Sequence, residues 1–158
     1  MIQRFIELGE GYSDIYELIE TSKANQHRVT QLIALHTQRN TKEVTSLVVI
    51  MKPTDPGNFQ AIYICREGIS NPNFITNKRY ELFKELSELL HKQIIEIEVK
   101  PSSMFNEIDL YYQYLIGILR LNHLLPPLQW THKRAIKKKE CLKVITPKHS
   151  FLFYSPIL

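Results

Sequence analysis

The stretch Asn106–Leu125, NEIDLYYQYLIGILRLNHLL, is the longest apolar-rich segment of the 158-residue chain and restricts the fold most strongly. Its apolar residues recur at helical spacing, which predicts a helix. One face carries Phe105, Ile108, Tyr112, Leu115 and Leu119, and an adjoining face carries Leu110, Tyr114, Ile118, Leu121 and Leu125. A helix that is apolar around most of its circumference must be covered by a sheet and by something else, either another helix or a second copy of the chain.

Polar residues within this segment argue against a membrane span. Gln113, Arg120 and Asn122 interrupt the apolar run, and two prolines follow it directly. A spanning helix needs about 20 consecutive, mostly apolar residues. We therefore predict no membrane association. Gly117 within the helix either permits the close approach of another backbone or is simply tolerated.

The patterns elsewhere predict an α+β fold, in which helices pack on a mixed sheet that contains a three-strand antiparallel meander. The predicted element order is β-α-β-β-β-α-β-α. The elements before the long helix are a strand at Met1–Leu8, a helix at Asp14–Ala24, meander strands at His27–Thr37, Val44–Met51 and Gln60–Arg66, a loop at Gly68–Asn77, a helix at Lys78–His91 and a strand at Ile94–Lys100.

The positive charge of the chain is concentrated near its end. Residues 130–158 hold seven Lys and Arg against one acidic residue, whereas residues 1–129 hold 13 basic and 15 acidic residues. Such asymmetry is typical of an appended arm. We predict one domain over residues 1–129 and a basic tail over 130–158 that is poorly ordered or packed peripherally. Any contact with nucleic acid is expected to be weak and to use this tail.

Composition also bears on location and cofactors. The two cysteines, Cys65 and Cys141, have no CxxC spacing, and the N-terminus lacks the charged and apolar regions of a signal peptide. A reduced, cytoplasmic location is the expectation. The sequence contains no GxxxxGK[ST] or GxGxxG motif, so no nucleotide cofactor is predicted.

The order of the core elements resembles that of the PD-(D/E)xK nucleases. The resemblance implies Mg²⁺ held by Asp55, which follows the second meander strand, and by Glu98, with Lys100 aiding the attacking water. The chain departs from the family pattern, because the E-x-K sequence falls on the fourth core strand rather than the third. The third strand offers the sequence R-E-G at 66–68. The alternative is that Glu98 and Lys100 are a solvated pair on an exposed strand.

Three segments together resemble a small family of uncharacterised proteins from Bacillus-type bacteria: MIQRFIELGEGYSDIYELIE, LVVIMKPTDPGNFQAIYICREGI and VKPSSMFNEIDLYYQYLIGILRLNHLLPP. The resemblance covers about residues 1–129. Members sometimes carry the label methylthioribose kinase, but the chain has neither a glycine-rich nucleotide loop nor an HxD catalytic loop. The resemblance therefore implies a cytosolic bacterial protein of unknown role and brings no catalytic residues with it.

These observations favour a non-enzymatic interaction or regulatory module, with the metal-dependent nuclease as the alternative. The long helix has two apolar faces, and one sheet face covers only one of them. Because large exposed apolar areas usually mark interfaces, we predict a homodimer. Its contact is expected to use Tyr111, Tyr114, Ile118 and Leu121. The helices at 14–24 and 78–91 could cover that face instead.

Overall fold

The computed structural model describes residues 1–8, 13–55 and 58–128. The predicted order β-α-β-β-β-α-β-α is confirmed. The elements are β1 (Gln3–Glu7), α1 (Ser13–Ala24), β2 (Val29–Arg39), β3 (Lys42–Met51), β4 (Gln60–Ser70), α2 (Lys78–Leu90), β5 (Ile94–Glu98) and α3 (Ile108–Leu121), with 3₁₀ turns at Gln26–Arg28 and Ser102–Met104. Residues 130–158, where a basic tail is predicted, lie outside the described residues.

The strands form one mixed sheet in the order β1-β4-β3-β2-β5. The predicted meander is confirmed, because β3 pairs antiparallel with both β2 and β4. The two outer strands pair in parallel, β1 with β4 and β5 with β2. Four strands therefore run in one direction and only β3 runs against them. We call the end of the sheet where β1, β2, β4 and β5 finish the carboxyl edge, and the opposite end the amino edge.

Alternation along the central strands divides the apolar side chains between two layers, because successive residues of a strand point to opposite faces. On the two-helix face, Leu32 and Val49 pack with Leu18 of α1 and Phe83 of α2. The opposite, one-helix face packs its strand residues against α3. Its buried members are Ile33, Leu35, Val48, Ile50, Ile62, Ile64, Tyr111, Leu115, Leu119 and Leu125. Strands covered on both faces read as nearly continuous apolar runs, as β3 does.

Local signals set the helix ends. Asn77 is the N-cap of α2, because its side chain accepts the Arg79 backbone N–H at 2.9 Å. The helix α3 is shorter than the predicted Asn106–Leu125. The chain leaves the helical conformation at His123, whose φ is 58°. Proline disfavours helical geometry in the residue before it, so the two prolines at 126 and 127 leave no continuation.

Strand β4 is longer than predicted, because it continues through a β-bulge into the expected loop. Leu47 pairs with Cys65 and Thr45 pairs with Ile69, so Ser46 alone opposes three residues of β4. The bulge spans residues 66–68, and pairing resumes beyond it. The polar residues and the proline of the segment 68–77 predict a loop there, but pairing of Ile69 and Ser70 with β3 extends the strand beyond the bulge.

The exposure of the residues on α3 bears on the predicted homodimer contact. Tyr111 is fully buried against the sheet of its own chain, so its predicted place in a homodimer contact is wrong. Leu121 is 76% exposed, and Tyr114 and Ile118 are half-buried. No helix in the described part of the chain has the length and apolar character needed to cross a membrane.

Candidate functional site

The sheet topology separates the residues that the nuclease resemblance would bring together. Asp55 follows β3, the one strand that finishes at the amino edge, whereas Glu98 ends β5 at the carboxyl edge beside His36. The β2–β3 register runs from Val29 at the amino edge to His36 near the carboxyl edge. Seven residue steps in a strand span about 23 Å. Carboxylates that share Mg²⁺ place their oxygens about 2.1 Å from the ion, so Asp55 and Glu98 do not form one site.

Glu98 and Lys100 lie near each other in the chain but on an exposed outer strand. Both side chains are exposed, and the Lys100 backbone N–H donates to the Tyr114 hydroxyl at 3.1 Å. Over residues 1–8, 13–55 and 58–128, no three His, Cys, Asp or Glu side chains are grouped to hold a metal ion. The residues of the nuclease interpretation are thus dispersed.

A different carboxylate, Glu67, lies at the centre of a polar group on the carboxyl edge. Its φ is 49°, a left-handed conformation that non-glycine residues seldom adopt. The Glu67 backbone N–H donates to Ser46 Oγ at 2.8 Å, and its Oε1 accepts the Ser102 backbone N–H at 2.7 Å. The β-bulge therefore turns this side chain inward, where only 1% of it is exposed.

The second carboxylate oxygen of Glu67 has no hydrogen bond in the described structure. It faces Arg39 Nη1 at 3.5 Å, in an ion pair whose arginine side chain is 55% exposed. Arg39 ends β2, directly before the hairpin turn at Asn40 and Thr41. Buried carboxylate oxygens normally accept hydrogen bonds, so this free oxygen requires an explanation.

Two buried hydroxyls on the same face also lack hydrogen bonds among the described residues, those of Thr37 and Tyr111. Thr37 lies on β2, one strand away from Ser46, and Tyr111 lies on α3 above them. Burial raises the pKa of Tyr111, and the Glu67 carboxylate raises it further, while Ser46 and Arg66 act more weakly in the opposite direction. Thr37, Arg39, Ser46, Glu67, Ser102 and Tyr111 are together called the Glu67 site.

A second set of polar contacts fixes the elements beside this site. Arg66 Nε donates to Glu7 Oε1 at 2.7 Å, and Arg66 Nη1 donates to Ser102 Oγ at 3.1 Å. The Tyr112 hydroxyl donates to the other oxygen of Glu7. Burial and this bond to Glu7 raise the pKa of Tyr112. The contacts tie β1, β4 and α3 together, and they hold Ser102 where its backbone N–H orients Glu67.

The sequence patterns did not single out Glu67 as a functional residue. It enters only as part of the R-E-G sequence that departs from the nuclease pattern. A charged residue followed by glycine near the end of a strand was the available signal, since such positions favour bulges. What makes Glu67 notable is its contact with Ser102 and Arg39, which are distant in sequence.

A known protein family covers the part of the chain that contains the Glu67 site. A family model described as a domain of unknown function, DUF7147, matches residues 1–125. The chain belongs to this family. All residues of the Glu67 site fall within the DUF7147 domain. Neither a curated protein nor a solved structure matches the chain.

Proposed function

We propose that this DUF7147 chain is a non-enzymatic binding module with a regulatory role, and that the Glu67 site holds its ligand. The observation that carries the proposal is the buried Glu67 Oε2, which lacks a hydrogen bond and belongs to a residue with left-handed backbone. Left-handed strain costs about 1–3 kcal/mol, and an unsatisfied buried polar group costs a similar amount. Costs of this kind collect at ligand sites, where strained residues are kept for their function.

The side chains around Glu67 favour binding over proton transfer. The raised pKa values of Tyr111 and Tyr112 keep both phenols protonated near neutral pH, so neither acts as a general base, and the Tyr112 hydroxyl donates to Glu7. Glu7 and Arg66 pair with each other. These groups can hold and orient a ligand, and they support a recognition role.

The position of the site supports a regulatory role. Its residues come from the β2–β3 hairpin, the bulge of β4, and α3 together with the segment before it. A ligand that contacts all three would favour one arrangement of these elements over others, which is how binding shifts a conformational equilibrium. The resemblance to proteins of Bacillus-type bacteria supports the bacterial cytoplasm as the place where this module works.

A thermal-shift panel of small polar compounds tests the proposal. We expect at least one compound to stabilise the wild-type chain, by about 2.7 kcal/mol at a hundred times its Kd. Glu67→Gln keeps the shape of the side chain and removes its charge, so it should abolish the shift. Lys42→Gln, a charge removal on the exposed hairpin nearby, should leave the shift unchanged. Compounds that stabilise the Glu67→Gln variant equally would show that binding occurs elsewhere.

The nuclease alternative has its own measurement. Isothermal titration calorimetry with Mg²⁺, together with a DNA cleavage assay, compares the wild type with Asp55→Asn and Glu98→Gln. We expect no Mg²⁺ binding that depends on either carboxylate. Mg²⁺-dependent cleavage that disappears in the Glu98→Gln variant would overturn the non-enzymatic proposal.

A further inference from the structure

We infer that the Glu67 site takes a small molecule carrying a guanidinium group, and that Arg39 occupies the place of this group in the unliganded chain. The inference rests on the proposed function, because it assigns a chemical class to the ligand of the same site. Its evidence lies in the free hydrogen-bonding groups of the site and in the contrast between the two neighbouring arginines.

The free groups of the site match the donors of a guanidinium. Glu67 Oε2 is a charged acceptor, and like it the hydroxyls of Thr37 and Tyr111 make no hydrogen bond of good geometry in the described structure. An alkyl guanidinium is planar and carries five N–H donors and no acceptor. One N–H can bind Oε2 while others reach the hydroxyl oxygens. An anionic ligand would instead meet the buried carboxylate and be repelled.

Arg39 already presents this chemistry to Glu67, but in a loose contact. The distance of 3.5 Å from Arg39 Nη1 to Glu67 Oε2 is too long for a good hydrogen bond, and the arginine side chain is 55% exposed. Arg39 is attached to the exposed hairpin, which limits its approach. Partly exposed ion pairs contribute little to stability, so Arg39 can be exchanged at small cost. A free guanidinium in the same place has no such attachment and can reach hydrogen-bonding distance.

Arg66 is held by hydrogen bonds in a way that Arg39 is not. It bonds both Glu7 and Ser102, at 2.7 Å and 3.1 Å, and its side chain is 27% exposed. Arg66 is therefore fixed within the structure, whereas Arg39 touches the site by one long contact. Among the described residues, the carboxylate of Glu67 is thus paired only with Arg39, a cation that the structure does not hold firmly and that a ligand can replace.

Paired ligands that differ only in charge test the inference. Titrations of L-arginine and methylguanidine are compared with L-citrulline and methylurea, which replace the guanidinium by a neutral urea group. The proteins are the wild type, Arg39→Ala, Lys42→Ala and Glu67→Gln. The readouts are calorimetric Kd and melting temperature, at matched ionic strength.

We expect the guanidinium compounds to bind the wild type and their neutral partners not to bind. Arg39→Ala should tighten arginine binding about two- to fivefold, the range that corresponds to a partly exposed ion pair. Lys42→Ala, an exposed residue of the same hairpin, should leave Kd unchanged. Glu67→Gln should weaken binding about tenfold or more, because the charged hydrogen bond is lost. Tyr111→Phe, which removes only one free hydroxyl, should weaken binding and carries the test if Glu67→Gln does not fold.

The outcomes separate this inference from the proposed function. Equal binding of citrulline and arginine, or an arginine Kd that Arg39→Ala leaves unchanged, overturns the guanidinium assignment. If another compound of the panel binds in a Glu67-dependent way and arginine does not, the inference fails and the proposed function stands. If no compound depends on Glu67, both fail.

Discussion

The two faces of the sheet differ in how many of their buried polar atoms lack a hydrogen bond. In the described structure, six buried side-chain atoms lack a hydrogen bond, and five of them lie on the one-helix face, in Thr37, Gln60, Glu67, Tyr111 and Arg120. The sixth, Nε2 of His36, lies on the two-helix face, 3.7 Å from Glu96, while His36 Nδ1 is 2.8 Å from Thr45 Oγ1. Among the described elements, two helices cover one face and α3 alone covers the other.

The difference indicates which face of the sheet carries the candidate functional site. A helix of 14 residues is about 21 Å long, so α3 covers the middle of its face and leaves polar groups at both ends. Gln60 lies at the amino edge and Glu67 lies at the carboxyl edge. The two-helix face is mainly a stabilising core, and the one-helix face combines a core with a site.

The largest effect is expected in the middle of the one-helix face. Leu115→Ala or Leu119→Ala removes a side chain that is fully buried under α3, and should lower the free energy of unfolding by about 2–5 kcal/mol. Gln113→Ala, at an exposed position of the same helix, should change it by less than about 0.5 kcal/mol. Urea denaturation measures all three variants. A small loss for Leu115 would mean that α3 is peripheral to the core.

A smaller effect is expected at the bulge, where the order of two substitutions is diagnostic. Glu67→Ala should cost about 1–3 kcal/mol, because the Ser102 N–H and Arg39 lose their partner. Glu67→Gly loses the same contacts but relieves the left-handed backbone, so it should be more stable than the alanine variant by about 1 kcal/mol. In an ordinary strand, glycine would be the less stable of the two. If the alanine variant is the more stable of the two, the backbone of Glu67 is not strained.

The two-helix face can be tested through the pH dependence of Cys65. Burial raises the pKa of this thiol to about 12 from an ordinary value of 9.0, and Asp14 and Glu17 add to the effect. The unfolded chain therefore loses the thiol proton first, and the stability from the neutral thiol falls as pH rises above about 9. The wild type should lose about 1 kcal/mol more than Cys65→Ala between pH 9 and 10, because the unfolded thiol is only partly ionised over this range. Parallel curves for the two proteins would mean that the thiol is accessible.

Truncation after Gln129 is expected to have almost no effect on the core of either face. Residues 1–125 match the DUF7147 family, and among the described residues the last buried member of either apolar cluster is Leu125. The truncated chain should keep its cooperative melt, with a free energy of unfolding within about 0.5 kcal/mol of the full chain. Circular dichroism on heating compares the two proteins. Loss of the cooperative transition would place part of residues 130–158 in the core.

The fold was predictable because its signals are local and repeated. Alternation in β3 and the three-to-four-residue spacing in α2 survive in a single sequence, and they gave the element order and the meander. The parallel pairing of β5 with β2 carries no such signal, because it joins segments about 60 residues apart. The sequence therefore could not show that Asp55 and Glu98 finish at opposite edges.

The Glu67 site was harder to predict than the fold for the same reason. Its contacts join Glu67 to Arg39, Ser46 and Ser102, residues that lie 21 to 35 positions apart from it. The bulge that creates the site depends on the register of β4 against β3, which one sequence does not state. A fully buried glutamate is also rare enough that burial would not be assumed from its residue type.

The smallest expected effect on the stability of the chain concerns association through the outer side of α3. Leu121 is 76% exposed, Leu110 is 46% exposed, and a side chain added at Gly117 would meet nothing within 4 Å. This outer side offers apolar surface and room for the close approach of a second α3, so the homodimer remains our prediction, with Tyr114, Ile118 and Leu121 at the contact. Leu121→Glu should abolish the dimer in sedimentation equilibrium at micromolar concentration, while the unfolding free energy of the monomer changes by less than about 0.5 kcal/mol. Gln113→Glu, an exposed residue of the same helix, adds the same charge as a control for simple repulsion. A wild-type chain that sediments only as an 18.6 kDa monomer would contradict the dimer.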